Sequence, residues 1–96
     1  MKRKEVLSKL EQHQEELKKL GVKSLYLFGS VARDEATQES DADFLVEVER
    51  PAGLFKFSRI ERYLEKQLGC SVDLGTLESL REHCRQPVFK DLIRIF

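Results

Sequence analysis

The sequence predicts one mixed α/β domain of α+β character, in which helices cover one face of a small mixed sheet and leave the other for chemistry. Three observations predict it. Apolar residues recur at helical spacing from Lys2 to Leu20 and again from Leu54 to Leu68. Three short runs rich in β-branched and aromatic residues, Val22 to Phe28, Asp41 to Val48 and Cys70 to Leu74, are bounded by glycine, proline or polar residues. The 96 residues are one domain's length, residues 1–96 as a unit, and a chain of that size buries roughly 60–65% of its unfolded surface.

Taken in order, the first helix places Val6, Leu10, Leu17 and Leu20 on one stripe, with Lys18 and Lys19 in the last turn, where the helix dipole favours cations, and Gly21 as C-terminal cap. His13 falls on that stripe as a partly buried spacer at the core's edge. Val22 to Phe28 is the first strand, ended by Gly29. A short helix over Val31 to Ala36 leaves the Gly29-Ser30 turn, and Thr37 to Ser40 is a polar connection. Asp41 to Val48 is the second strand, broken by Arg50-Pro51-Ala52-Gly53. The second long helix, Leu54 to Leu68, buries Leu54, Phe57, Ile60, Leu64 and Leu68, presents a mixed-sign solvated face and is capped by Gly69. Cys70 to Leu74 is the third strand. Beyond it, Thr76 caps a short helix carrying Leu77, Leu80 and Cys84, Pro87 interrupts it, and Val88, Phe89, Leu92, Ile93 and Phe96 form a last apolar stripe. An end as apolar as Ile95-Phe96 docks either on the protein's own core or on a partner.

Composition excludes several classes. Lysine plus arginine equals aspartate plus glutamate, 17 against 17, so net charge gives no support to non-specific nucleic-acid binding. No apolar stretch approaches the roughly 20 residues of a membrane span, and Met1-Lys2-Arg3-Lys4 leads into an amphipathic pattern rather than a signal peptide, so the expected location is the cytoplasm. Cys70 and Cys84 are too few for a disulfide framework or a zinc site, and Cys70 reads as a small hydrophobe.

The chemistry is written from Gly29 to Val46. Successive side chains of a strand point to opposite faces, so Asp41 and Asp43 share one face while Ala42, Phe44, Val46 and Val48 share the other. Two neighbouring carboxylates repel unless a hard cation sits between them, and magnesium carrying a nucleoside triphosphate is the usual partner of such a pair. Gly29 allows close approach of a ligand to the backbone, and Ser30 offers a hydroxyl and an amide. Asp73 alternates with Val72 and Leu74, so if the second and third strands are neighbours in register, all three carboxylates converge on one face. Glu47 lies on the Asp43 face further along and reads as a solvated position.

At these residues the chain resembles the minimal nucleotidyltransferases of the polymerase-beta superfamily, in particular the antitoxin-type members that pair with HEPN-domain toxins. Their signature is Gly-Ser, ten residues, then Asp-x-Asp; here Gly29-Ser30 is followed by the ten residues Val31 to Ser40 and then Asp41-Ala42-Asp43. Ala32-Arg33, Ser40 and the apolar strand after the second aspartate also match, and Asp73 fits the place of the third carboxylate. The departures are Asp34, where the family often has glycine, and Ala42, where it often has a larger apolar residue.

The resemblance implies a polymerase-beta-like fold and a catalytic, metal-holding set of Asp41, Asp43 and Asp73 with two magnesium ions. Gly29, Ser30, Arg33 and Ser40 are implied nucleotide contacts. Arg33 serves either as a phosphate contact or in an ion pair with Asp34 or Glu35, and Ser40 either touches nucleotide or, the more frequent use, caps the turn into the strand. The implied activity is that of an antitoxin: transfer of AMP from ATP to a hydroxyl, a tyrosine, of a HEPN toxin, with release of pyrophosphate. Two alternatives stand beside it: an antitoxin that masks the toxin by contact alone, and a free-standing transferase acting on RNA or a small molecule.

Overall fold

The structure, a computed structural model, describes residues 2–35, 41–49, 53–76 and 92–96. Ser40, the rest of the polar connection, Arg50 to Ala52 and the segment carrying Leu77, Leu80, Cys84, Pro87, Val88 and Phe89 lie outside the described residues. The elements run α1 (Arg3–Gln12), α2 (Gln14–Lys19), β1 (Val22–Phe28), α3 (Gly29–Ala32), β2 (Ala42–Val48), α4 (Leu54–Leu68), β3 (Val72–Thr76) and β4 (Ile93–Arg94).

The four strands form one mixed sheet in the order β3-β2-β1-β4. β1 is antiparallel to both β2 and β4, whereas β2 and β3, joined through α4, are parallel. The pairing places Leu25 opposite Val46, Leu27 opposite Phe44, Phe44 opposite Leu74 and Ala42 opposite Val72, so one face of three strands is continuously apolar. Against it pack Val6 and Leu10 of α1, Leu17 of α2, Val31 and Ala32 of α3, and Ile60 and Leu64 of α4. The four helices of the described residues therefore cover the same face, as the sequence predicts. Full burial of each Leu, Ile or Phe there contributes about 1.5–3 kcal/mol of transfer free energy.

The first helix is not continuous. It turns at His13, whose N–H reaches back to the Leu10 carbonyl, and restarts when Leu17 donates to the His13 carbonyl. No glycine or proline causes the break. α1 packs on α4 while α2 packs on β1, and the turn lets Leu10 and Leu17 reach one core from two directions. At the bend, the Tyr63 hydroxyl of α4 lies 3.1 Å from His13 Nδ1 and the two rings meet edge to face. Gly21, just past α2, has φ +100, and α4's Lys56 side chain fills the space where a Cβ would project.

Smaller shifts follow from backbone pairing. α3 begins at Gly29 rather than Val31, β2 begins at Ala42 so that Asp41 precedes it, and β3 runs Val72–Thr76 rather than Cys70–Leu74, which puts Thr76 inside a strand. The alternative at the C-terminal end is decided by β4. Leu25 donates to the Phe96 carbonyl (3.1 Å), Ile95 donates to the Leu25 carbonyl (2.8 Å), and Ile93, Ile95 and Phe96 pack against the protein's own core. Among the described residues no helix is long and apolar enough to cross a membrane.

Candidate active site

The sheet's second face carries the carboxylates. Phe28 of β1, Asp43 of β2 and Asp73 of β3 lie in one row across the three strands, because Phe28 pairs with Asp43 and Asp43 with Asp73. Asp41 lies two residues earlier, just before β2, its neighbour Ala42 donating to the Ser71 carbonyl at 3.0 Å. The parallel register thus brings the three predicted carboxylates to one end of one face. Asp41 and Asp73 are exposed and Asp43 is half-buried.

Negative charge at this corner is only partly offset. Burial, and then the negative charges of Asp73 and Asp41, push the Asp43 carboxyl above the usual range, while the Arg33 guanidinium pulls it back only in part. Among the described residues no three His, Cys, Asp or Glu side chains are already drawn into a metal-holding group. Hard oxygen donors of this kind suit magnesium. The oxygen donors of Asp41, Asp43 and Asp73 suit the divalent ion that the resemblance implies, and these three are the candidates to hold it.

Gly29 is the other wall. Its φ is +76, and a Cβ built there would run into Asp43 Oδ2, with Cγ at 3.1 Å and Cβ at 3.3 Å. The β1–α3 turn thus lies directly against the central carboxylate. Ser30 follows in α3, and its carbonyl accepts from the Glu35 N–H at 2.8 Å. Arg33 ends α3 with Nε 3.1 Å from Glu35 Oε2, both side chains largely exposed. Of the ion-pair partners that the sequence offers, Glu35 is thus engaged, and the guanidinium also acts on the Asp43 carboxyl.

Glu47 is not simply solvated: it accepts a hydrogen bond from the buried Ser24 hydroxyl at 3.1 Å. Cys70 sits just before β3, its thiol pushed up by burial and by Asp41, consistent with an inert packing role. Sequence reasoning missed the apolar floor beside the carboxylates, where Leu45 is buried with Tyr26, Phe28 and Leu92 around it. Leu45 is in phase with Asp43, so its face was legible; the contributions of Tyr26 and Phe28 depend on register with β2.

The family model of the nucleotidyltransferase domain matches residues 10–95. The chain belongs to the nucleotidyltransferase family. Among curated relatives of this nucleotidyltransferase, the protein adenylyltransferase MntA of Thermococcus cleftensis is 38% identical over 92 residues, spanning 95% of this chain and 93% of the relative. Among solved structures, a candidate minimal nucleotidyltransferase superposes with a TM-score of 0.81 at 31% identity, covering 97% of this chain and 95% of the other. The fold is shared further by a chain of the complex between the tri-AMPylated HEPN toxin of Shewanella oneidensis and MNT antitoxin, at a TM-score of 0.62 and 21% identity over 90% of this chain and 68% of that one. Fold and family thus agree with the resemblance carried by the Gly-Ser and Asp-x-Asp motifs.

Proposed function

We propose that this nucleotidyltransferase is a protein adenylyltransferase antitoxin, moving AMP from ATP onto a tyrosine hydroxyl of a HEPN-domain toxin in the cytoplasm. The observation that carries the reading is the parallel β2–β3 register, which sets Asp73 beside Asp43, the carboxylate that lies against Gly29. The names borne by the relatives above support the choice of AMP and of a protein acceptor.

Asp41, Asp43 and Asp73 hold two magnesium ions in this reading. When bound, such ions stabilise the charge on the attacking and leaving oxygens of an in-line displacement at the α-phosphate. The chain's own groups bind and orient. Gly29 lets the backbone come close to the β- and γ-phosphates, Ser30 supplies a hydroxyl and an amide, and Arg33 supplies a guanidinium beside them. Asp73, on the neighbouring strand, faces the acceptor hydroxyl and orients it for attack. The oxygen–phosphorus bond to the acceptor forms as the bond to pyrophosphate breaks, and the acceptor proton passes to solvent or to a carboxylate. Ser40 completes the nucleotide contacts in this reading.

The test is the intact mass of a HEPN-domain partner co-purified with this chain, before and after addition of ATP and magnesium. The expected result is a gain of one or more AMP units with the wild type and none with the Asp41→Asn/Asp43→Asn variant. Toxin neutralisation that survives this double substitution without any mass change would leave masking by contact as the activity. Label appearing on RNA and not on protein would reassign the acceptor.

A further inference from the structure

We propose that Arg3 and Asp34 form a tertiary tie that positions the Gly29–Arg33 turn for the nucleotide, which makes Asp34 a positioning residue. The inference rests on the nucleotidyl-transfer reading above. Among the described residues Asp34 is the one non-glycine residue with positive φ, at 61. An L side chain keeps that conformation only where its surroundings hold it. Here the holding group is α1. Lys2, the residue that precedes α1, gives it no side-chain cap, and the Arg3 N–H of the first turn is instead accepted by Asp34 Oδ1 at 3.1 Å. The Arg3 guanidinium returns across the same junction, Nη1 donating to the Ala32 carbonyl at 3.2 Å. Two bonds, both donated by Arg3, therefore bolt the start of α1 to the exit of α3.

The turn is closed from within as well. Arg33 donates to the Gly29 carbonyl (3.1 Å), Asp34 to the Val31 carbonyl (3.0 Å) and Glu35 to the Ser30 carbonyl (2.8 Å). With Ala32 taken by Arg3, each of the four α3 carbonyls has a partner. The backbone that carries Ser30 and Arg33 is thereby fixed at its exit by Asp34 and at its entry by Gly29 against Asp43. The Asp34 carboxylate is engaged by α1, so its charge is directed to that junction. A ligand that needs one conformation of the turn binds in proportion to the fraction of molecules already in it. The tie raises that fraction without touching the ligand.

The experiment is calorimetric titration of the purified chain with magnesium and a non-hydrolysable ATP analogue, with amide exchange followed over residues 30–34. Asp34→Ala removes the acceptor. Arg3→Pro removes both donors from the other side, at a first-turn position where proline is favourable and after a residue already extended (Lys2 φ −103, ψ 149). Each is expected to weaken binding about fivefold, the factor that loss of one capping hydrogen bond implies, and to speed exchange in the turn. The double variant loses no more than either single one, and Asp34→Asn, which keeps the acceptor oxygen and tolerates the left-handed conformation, stays within about twofold of wild type. Unchanged affinity in Asp34→Ala and Arg3→Pro, with only a lowered melting midpoint, would overturn the proposal and leave Asp34 as a helix cap. A wild type that fails to bind the analogue at all would remove the nucleotide reading itself, and the tie's role would fall with it.

Discussion

Replacing Gly29 by alanine separates the site from the scaffold. Two effects are built into that one methyl group. At φ +76 an alanine is strained, by about 1–2 kcal/mol. For a domain of this size that corresponds to a fall in Tm of roughly 5–15 °C. The methyl group also meets the Asp43 carboxylate, and because Cγ (3.1 Å) and Cβ (3.3 Å) are crowded too, a small swing of the oxygens does not relieve the contact. Asp43 must leave its position, and misplacement of a reacting or metal-holding group by about 1 Å lowers turnover on the order of 100-fold. Gly21→Ala is the matched control. Its φ of +100 imposes at least as much strain, but the group in its way is the flexible end of the Lys56 side chain, on the helical face of the sheet. AMP transfer and Tm are measured for both variants, with the activity assay held well below both midpoints. The expected outcome is a similar thermal loss in the two and a loss of turnover confined to Gly29→Ala. Turnover in Gly29→Ala within about threefold of wild type would refute the assignment of Asp43 to the reaction, as would equal loss in both variants.

Neutralising Asp43 is expected to stabilise the metal-free protein while abolishing transfer. Its folded carboxyl is shifted upward by burial and by Asp73 and Asp41. The native state therefore binds more protons than the unfolded state from about the ordinary aspartate value of 3.8 upward, and stability is lost as pH rises through that window. In thermal scans Asp43→Asn should match wild type at acid pH and exceed it by roughly 2–5 °C at neutral pH without magnesium. An unchanged difference across pH would show that Asp43 carries no such repulsion. Phe44→Ala removes a fully buried ring from the centre of the helical face and should destabilise by about 3–5 kcal/mol, read as loss of the cooperative transition near physiological temperature. Tyr63→Phe deletes the hydrogen bond to His13 and should lower stability by about 0.5–1.5 kcal/mol in urea titration, leaving AMP transfer at the wild-type rate.

Much of this protein is local chemistry that a sequence records directly. Period-3.6 and period-2 patterns mark α4 and β1 at their observed limits, and the Gly-Ser and Asp-x-Asp motifs point to nucleotidyl transfer, because strand alternation alone puts Asp41 and Asp43 on one face. Asp73 was placed by the same alternation, conditionally on its strand being a neighbour. Tertiary structure decided what no single segment encodes. The parallel register sets Asp73 opposite Asp43, since pairing is fixed by the apolar face that Phe44 and Leu74 share rather than by the aspartates. The turn at His13 has no local breaker and exists because α1 and α2 pack on different partners. Leu25's hydrogen bonds draw the apolar C-terminal residues onto β1 as a fourth strand, which the sequence left open between core and partner. Asp34 is tolerated in a left-handed turn because an amide 31 residues earlier in the chain needs an acceptor. Local patterns fix which residues can do the chemistry; long-range pairing and capping fix whether they meet, since those contacts form between segments whose own sequences carry no record of each other.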